Sequence, residues 1–175
     1  MSEFFPAHQT VYFCPHCGAP STPSSERYFE CAVCRYRLHF NNTVAVAVLA
    51  VNSKGELLFI RRARDPGKGK LALPGGFVDA GETAEDATRR EVMEELGVEV
   101  SALRFLCTSP NVYPYRGIIY TVCDLFFVAE LAEQSFTLAP REVESTIWLA
   151  PQAIDLDEIA FSSMRAALTL YRENL

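Results

Sequence analysis

The sequence contains no long apolar run, no excess of positive charge and no low-complexity tract. No stretch approaches the ~18–20 consecutive apolar residues of a membrane-spanning helix, so we expect no membrane span. The start, MSEFFPAHQT, has neither the basic segment nor the apolar segment of a secretory signal, and we therefore expect a cytoplasmic protein. The net charge of −6 and the isoelectric point of about 5.1 suit a soluble protein.

Cysteine is scarce, and its spacing is informative. Four of the six cysteines form two Cys-x-x-Cys pairs, and these are Cys14, Cys17, Cys31 and Cys34. Two such pairs at this separation predict a structural zinc site with four thiolate ligands. Two disulfides or a chance pattern are the alternatives, but disulfides need an oxidising compartment. Cys107 and Cys123 lie in apolar runs, and we expect them to be buried packing residues.

The segment around the paired cysteines is electrically neutral. Residues 1–42 carry three arginines and three glutamates. A nucleic-acid-binding module has a basic face, so nucleic acid is not expected as a partner. Small units of this kind are unfolded without metal, so zinc has a structural role here. We expect this zinc ribbon to brace the following domain or to mediate a homodimer.

The 175 residues, 49% of them hydrophobic, provide for one sizeable core and one small module. We predict the zinc ribbon over residues 1–42 and a second domain over residues 43–175. The second domain mixes apolar strand-like runs with segments of helical spacing, which predicts an α/β or α+β fold with a mixed sheet sandwiched between helices. The predicted strands are 44–51, 56–62, 71–73, 98–107, 118–131 and 146–149, and the predicted helices begin after Thr83 and after Ser162 or Ser163.

One segment carries most of the negative charge. Residues 76–98 contain seven acids and two arginines, and in a helix Glu91, Glu94 and Glu95 lie on one face. Like charges at that spacing destabilise a helix, and a divalent cation bound by carboxylate oxygens would compensate them. A solvated acidic surface helix is the alternative, but it does not explain the glycines at both ends.

The spacing of this segment resembles the Nudix box: Gly76, five residues, Glu82, seven residues, Arg90-Glu91, Val92, any residue, Glu94-Glu95, any residue, Gly97, Val98. The resemblance implies a loop-helix-loop platform that uses Mg²⁺ or Mn²⁺. By matched position, Glu91, Glu94 and Glu95 would bind the metal, with the Gly75 carbonyl as a further ligand.

The remaining box positions imply supporting roles. Arg90 would orient Glu91, and Glu82 would support the site through water or through Arg90. Family members often carry a further glutamate a few residues before a tryptophan. Glu142 and Glu144 precede the only tryptophan, and Glu142 matches that position better. The alternative is that both are exposed strand residues.

Two further resemblances concern the substrate. The order of zinc ribbon and Nudix domain resembles the NADH pyrophosphatases, which carry Ser-Gln-Pro-Trp-Pro-Phe-Pro-x-Ser after the box. Residues 109–117, SPNVYPYRG, keep the leading serine and an aromatic–proline–aromatic core but not the rest. Residues 157–163 resemble the plant-type FAD/ADP-ribose pyrophosphatases and their bacterial relatives. Tyr113 and Tyr115 are predicted to contact a base; otherwise they are half-buried tyrosines in a proline-rich turn.

A basic, glycine-rich loop, residues 64–70, precedes the box. We predict that Lys68 in this loop and Arg62 just before it contact substrate phosphates, and a solvated loop is the alternative. The resemblances together imply a Mg²⁺-dependent pyrophosphohydrolase that splits an ADP-ribose, NAD(H) or FAD type of diphosphate into monophosphates. The alternatives are NAD-cap removal from RNA, a non-catalytic nucleotide sensor, and a nucleic-acid-binding ribbon beside an incidental Nudix fold.

Overall fold

The computed structural model describes residues 4–22, 25–132 and 135–175. Of the helices within these ranges, none combines the length and the apolar character that crossing a bilayer requires. The chain forms two compact units, residues 1–43 with 112–122, and residues 44–111 with 123–175. The elements are β1 (Phe5–Pro6), β2 (Tyr28–Glu30), β3 (Arg37–His39), β4 (Thr43–Val51), β5 (Leu57–Arg62), β6 (Leu71–Ala72), α1 (Ala84–Leu96), β7 (Arg104–Tyr115), β8 (Ile118–Glu130), β9 (Val143–Leu149) and α2 (Ser162–Glu173).

The first unit is built around the four paired cysteines. β2 and β3 form an antiparallel ribbon with Phe29 opposite Leu38. Cys14, Cys31 and Phe29 are buried together in a small core of their own. β1 pairs in parallel with the start of β8. This unit also contains the hairpin 112–122, so the domain boundary that the sequence suggests after residue 42 stays a prediction.

The second unit contains the large core. β5 is central, because β4, β6 and β9 all pair with it in antiparallel fashion, and β8 adjoins β4. With the parallel β1–β8 pair the sheet is mixed, and the predicted α+β class is confirmed. Residues Leu57 to Ile60 are almost fully buried, as their unbroken apolar run predicts. Both helices contribute buried side chains to the same core.

The box helix, α1, has the termini that its sequence predicts. The Thr83 hydroxyl accepts a hydrogen bond from the Asp86 N–H at 3.1 Å. Gly97 ends the helix in the left-handed conformation, with φ at 69°, and its N–H donates to Met93 O. Ala87, Val92 and Leu96 face the core, so the acidic side of α1 is left for a site.

Two local expectations are wrong. Residues 98–103 are irregular, and the strand predicted from residue 98 begins only at Arg104, after Ala102 takes a positive φ of 51°. β7 then continues through Pro110 and Pro114, which is possible because it pairs only with β8. The N-cap of α2 is Phe161 without a side-chain cap bond, not Ser162 or Ser163. The Ser163 hydroxyl instead donates to the buried Asp124 carboxylate.

Candidate active site and candidate zinc site

The acidic face of α1 presents three carboxylates in three different environments. Glu95 is buried at 4% exposure, and the side chain of Glu91 is 13% exposed. The side chain of Glu94 is 59% exposed. The face therefore runs from the edge of the core to solvent within about one helical turn.

Two glycines bring the backbone before α1 against these carboxylates. The Gly75 N–H donates to Glu95 Oε2 at 3.0 Å. A Cβ on Gly76 would lie 2.4 Å from Glu91 Cδ, and one on Gly75 would lie 2.1 Å from Val46 O. Gly75 also has a φ of 148°, which disfavours a side chain. Glycine is therefore required at both positions, because Gly75 lies close to the Val46 backbone and Gly76 lies close to the Glu91 carboxylate.

Arg90 connects the loop to the helix. Its guanidinium donates to both oxygens of Glu82, to Glu91 Oε1 at 2.8 Å and to Phe77 O at 2.9 Å. A longer contact of 3.3 Å reaches Glu94 Oε2. These hydrogen bonds lower the pKa of Glu82, with the Asp79 N–H contributing after Arg90. Arg90 thus holds the Glu82 and Glu91 side chains in fixed positions.

The two inner carboxyls have raised pKa values. The pKa of Glu95 is raised to about 8, chiefly by burial and also by the nearby Glu91 and Glu142, against the lowering effects of the Gly75 N–H and of Arg62. Burial also raises the pKa of Glu91, against the lowering effect of Arg90. Carboxyls in this state take up either a proton or a cation. Burial and mutual repulsion of these carboxylates therefore favour the binding of a positive charge beside them.

Glu142 belongs to the same cluster and lies in the turn just before β9. It raises the pKa of both Glu91 and Glu95, whereas Glu144 is exposed on β9. Glu142 ends a tight turn, in which its N–H donates to Ala139 O at 2.9 Å. The Ala139 N–H in turn donates to Glu95 O, which fixes this turn on the C-terminal end of α1.

A cavity of about 340 Å³ lies between these elements, lined by Glu94, Ala139, Pro140, Arg141 and Glu142. Five carboxylates lie in or beside this cluster, those of Glu82, Glu91, Glu94, Glu95 and Glu142, and four guanidinium groups accompany them, those of Arg62, Arg64, Arg90 and Arg141. The carboxylates therefore outnumber the cations by one when all are ionised. Carboxylate oxygens are the donors that a hard divalent cation prefers, and the residues present fit such an ion. Among the described residues, the four cysteines are the set with three or more such ligand atoms already close together, and the carboxylates of α1 are more widely spaced.

The residues predicted to contact substrate lie in different surroundings. Arg62 is near enough to lower the pKa of Glu95, but its Nε donates to Pro66 O at 2.7 Å and its guanidinium lies 4.9 Å from the Phe161 ring centre. Lys68 is exposed on the loop. Tyr113 and Tyr115 belong to the first unit, with ring centres 6.3 Å apart.

Sequence reasoning did not single out Arg64 or the buried Asp124–Ser163 pair. Arg64 Nη2 lies 2.9 Å from Glu142 Oε1. A charged residue inside an apolar strand was the available signal for Asp124. Nothing in the local sequence signals the Arg64 contact, because the two partners are 78 positions apart.

The four paired cysteines converge in the first unit. Their sulfur atoms all lie within 4.8 Å of one another, and the Cys14–Cys34 and Cys17–Cys31 pairs are each 3.7 Å apart. Tetrahedral zinc with Zn–S bonds of about 2.3 Å requires sulfur separations of about 3.8 Å. Two of the sulfur separations match this value and the others are no more than about 1 Å longer, so the cluster is compatible with bound zinc.

The two halves of the cluster are built alike. Cys14 O accepts from the Gly18 N–H at 2.9 Å, and Cys31 O accepts from the Arg35 N–H at 3.0 Å. Both donors have positive φ, 73° for Gly18 and 63° for Arg35. Backbone N–H groups of Cys34 and Val33 lower the pKa of the Cys31 thiol, whereas burial and the neighbouring thiols raise the pKa of Cys34 against the effect of the Tyr36 N–H, so the clustered thiols do not ionise independently.

Comparison with known proteins agrees with this geometry. A sequence profile of the NUDIX domain matches residues 41–169, about three quarters of the chain. The chain belongs to the Nudix family. The resemblance drawn from the box is thereby confirmed.

Two kinds of similar protein extend this result. The NAD-capped RNA hydrolase NudC of Salmonella heidelberg is 31% identical over 149 residues, which are 85% of this chain and 54% of the relative. The chain thus spans about half the length of that relative. A Nudix hydrolase structure from Nitrosomonas europaea is similar over 93% of this chain and 90% of the Nitrosomonas chain, with a TM-score of 0.70 and 25% sequence identity. A MutT Nudix hydrolase structure from Burkholderia pseudomallei is similar over 74% of this chain and 98% of the Burkholderia chain, with a TM-score of 0.62 and 26% sequence identity.

Proposed function

We propose that this Nudix protein is a Mg²⁺-dependent pyrophosphohydrolase that splits a nucleoside diphosphate linked to a second moiety into two monophosphates. The observation that carries the proposal is the cluster of Glu91, Glu94 and Glu95 on α1, backed by the Gly75–Gly76 loop and joined by Glu142. ADP-ribose, NAD(H) and FAD are the substrate types with the required bond.

The residues have distinct roles in this proposal. Glu91, Glu94, Glu95 and the Gly75 carbonyl would hold Mg²⁺ or Mn²⁺. The bound ion supplies Lewis-acid activation of the phosphoanhydride and of the attacking water. Arg90 and Glu82 keep Glu91 in position through the hydrogen bonds described above.

Glu142 is proposed as the general base, and the 340 Å³ cavity beside it provides room for the diphosphate. Its carboxylate would accept the proton of the water that attacks phosphorus. Glu94, which lines the same cavity and has a side chain that is 59% exposed, would be a metal ligand accessible to substrate.

Removal of a NAD cap from RNA is the second candidate function. It is favoured by the 31% identity to proteins described as NAD-capped RNA hydrolases. The neutral charge of residues 1–42 favours the free dinucleotide instead. A nucleotide sensor without catalysis is less well supported, because a sensor has no need of the complete set of box acids.

Tyr113 and Tyr115 are proposed to form the wall against which the base lies. Their ring centres are 6.3 Å apart and the Arg116 guanidinium lies 5.2 Å from the Tyr115 ring centre, so aromatic groups and a cation that can contact a base lie near one another. Tyr113→Ala should raise KM more than it lowers kcat. Tyr12→Ala, which removes another exposed tyrosine of the same unit, should change neither.

Structural zinc bound by Cys14, Cys17, Cys31 and Cys34, a homodimeric assembly and a cytoplasmic location complete the proposal. Zinc has the strongest support, since the four sulfur atoms have the spacing of a tetrahedral site.

The proposal is tested with a substrate panel in Mg²⁺: ADP-ribose, NADH, NAD⁺, FAD, diadenosine polyphosphates, nucleoside triphosphates and a NAD-capped RNA oligonucleotide. Release of AMP from one free dinucleotide supports the main proposal, and cleavage of the capped RNA alone supports the second. Glu94→Gln should lower kcat by about 100-fold or more, since even outer-shell partners of metal sites contribute 10–100-fold. Glu85→Gln, on the exposed side of α1, is the matched control. Activity on none of these compounds by folded, metal-loaded protein would overturn the proposal.

A further inference from the structure

Glu142 is held at two points by one short segment of chain. The Ala63 N–H donates to Glu142 O at 2.9 Å, and Arg64 Nη2 lies 2.9 Å from Glu142 Oε1. Ala63 and Arg64 directly follow β5, and Glu142 directly precedes β9, which pairs with β5. The backbone bond therefore sets the position of residue 142, and the ion pair sets the direction of its carboxylate.

The neighbouring cations have other partners. Arg61 Nη1 donates to Gly69 O, Arg62 Nε donates to Pro66 O and Lys70 Nζ donates to Asp157 O. Within residues 61–70, all of which the structure describes, Arg64 is the side chain with an ion pair to a carboxylate of the cluster.

The Arg64–Glu142 pair contributes little to stability. The two side chains are 53% and 34% exposed, and ion pairs with this much solvent contact stabilise a fold by no more than about 1 kcal/mol. Yet the pair lies beside the cavity lined by Glu94 and Glu142, and the negative charges of these two residues contribute to the raised pKa of Glu91. An orienting role for Arg64 can therefore be separated experimentally from a role in folding.

We propose that Arg64 is a positioning residue that aims the Glu142 carboxylate into the cavity and opposes the binding of a cation in the substrate-free site. The inference rests on the proposed function, since it concerns the same site. Arg64 has two measurable effects in this proposal. It keeps Glu142 in the productive direction, which raises kcat, and its positive charge weakens the affinity of the empty site for a divalent cation.

The experiment compares Arg64→Gln with wild type in two assays. Calorimetric titration with Mn²⁺ in the absence of substrate should show a dissociation constant lower by roughly threefold to tenfold, because one positive charge has been removed from the edge of the cluster. Turnover should fall by about tenfold, as for other outer-shell partners of metal sites, while KM changes by less than about twofold. Tighter metal binding together with slower turnover is a combination that partial unfolding does not produce.

Three further variants control the result. Arg89→Gln removes the same charge from α1 itself, but Arg89 pairs with the exposed Asp86, so both readouts should stay as in wild type. Arg64→Lys keeps the charge and should retain wild-type Mn²⁺ affinity and most of the turnover. In a Glu142→Gln background, Arg64→Gln should lower kcat by less than a further twofold, because the group that it positions is already gone.

The outcomes separate this inference from the proposed function. Unchanged Mn²⁺ affinity and kcat in Arg64→Gln would make the pair a surface ion pair only and overturn the inference. A large rise in KM with kcat retained would assign Arg64 to the substrate and also overturn it. If the wild type cleaved no diphosphate, the proposed function would fail. The Mn²⁺ titration of Arg64→Gln and Arg89→Gln would still decide whether Arg64 opposes cation binding.

Discussion

Arg90 binds Glu82 through two parallel hydrogen bonds, Nε to Oε1 and Nη2 to Oε2, each 2.9 Å long. The same guanidinium also donates to Glu91 Oε1 and to Phe77 O. Because Glu82 and Phe77 lie in the loop and Glu91 lies in the helix, one side chain fixes both parts of the box. This explains why a single arginine stands among the acids of this segment.

Arg90→Lys should therefore damage the site while keeping its charge. A lysine ammonium cannot reproduce the planar pair of bonds to Glu82 and still reach Glu91 and Phe77 O. We expect metal affinity and kcat each to fall by about 10–100-fold, as for other residues that orient metal ligands. Calorimetry with Mn²⁺ and initial rates in Mg²⁺ measure the two effects. Arg89→Lys is the matched control, and equal behaviour of the two variants would contradict the role of Arg90.

Gly76 tests the fit between the loop and α1. A Cβ at this position would lie 2.4 Å from the Glu91 carboxyl carbon and no more than 2.5 Å from either carboxylate oxygen. Gly76→Ala should therefore push Glu91 out of place and weaken Mn²⁺ binding by about tenfold or more. Gly55→Ala is a useful comparison, since Gly55 has open space around it, and its cost comes only from its positive φ of 76°. That variant should lose stability but keep the Mn²⁺ affinity of wild type.

Local patterns were sufficient to predict the box helix and to single out the four cysteines that cluster. Thr83 and Gly97 define the ends of α1 because capping depends on residues close in sequence. Each Cys-x-x-Cys pair forms a tight turn of its own, so the two cysteines of a pair lie close together for reasons that are local in sequence. The burial of residues 57–60 likewise follows from an uninterrupted apolar run.

Long-range contacts account for what the sequence did not reveal. The Arg64–Glu142 pair depends on the pairing of β5 with β9, and Ser163 is committed to Asp124 on β8 instead of capping α2. The turn after Cys31 has Arg35 at positive φ, whereas the matching turn after Cys14 has Gly18 there, so residue type alone did not predict the second turn. Each of these features depends on a partner far away in sequence, or on tertiary contacts that outweigh the local preference of the residue.

Glu95 should make the stability of the metal-free protein depend on pH. Its pKa is raised by burial from 4.5 to about 8. Below pH 4.5 both the folded and the unfolded chain carry the proton, so its titration has no effect. Between pH 4.5 and about 8 the unfolded chain releases the proton and the folded chain keeps it, so stability falls as pH rises. The slope from this group is at most about 1.4 kcal/mol per pH unit.

Denaturant unfolding in chelator at several pH values between 5 and 8 measures this slope. Glu95→Gln keeps an oxygen that can accept from the Gly75 N–H but removes the titration, so its stability should depend less steeply on pH. Glu85→Gln removes an exposed carboxylate from the same helix and should follow wild type. A Glu95→Gln variant with the wild-type slope would show that another group causes the dependence.

The zinc proposal predicts a loss confined to the first unit. Wild-type protein should contain one zinc ion per chain by elemental analysis, and Cys31→Ser should contain much less, since Cys31 is buried at the centre of the cluster. The small core around Phe29 consists largely of the cysteines themselves. Without metal, the amides of β2 and β3 should therefore exchange rapidly with solvent, while those of β5 stay protected.

Cys107→Ser distinguishes metal binding from a general effect of losing a thiol. Cys107 lies on β7 in the second unit and is not one of the four clustered cysteines, and burial raises the pKa of its thiol. Its replacement should leave the zinc content at one ion per chain and the exchange of β2 and β3 unchanged. Full protection of β2 and β3 in Cys31→Ser or in chelator would mean that the ribbon folds without metal. The 3.7 Å sulfur contacts would then reflect packing of thiols, not a site shaped by zinc.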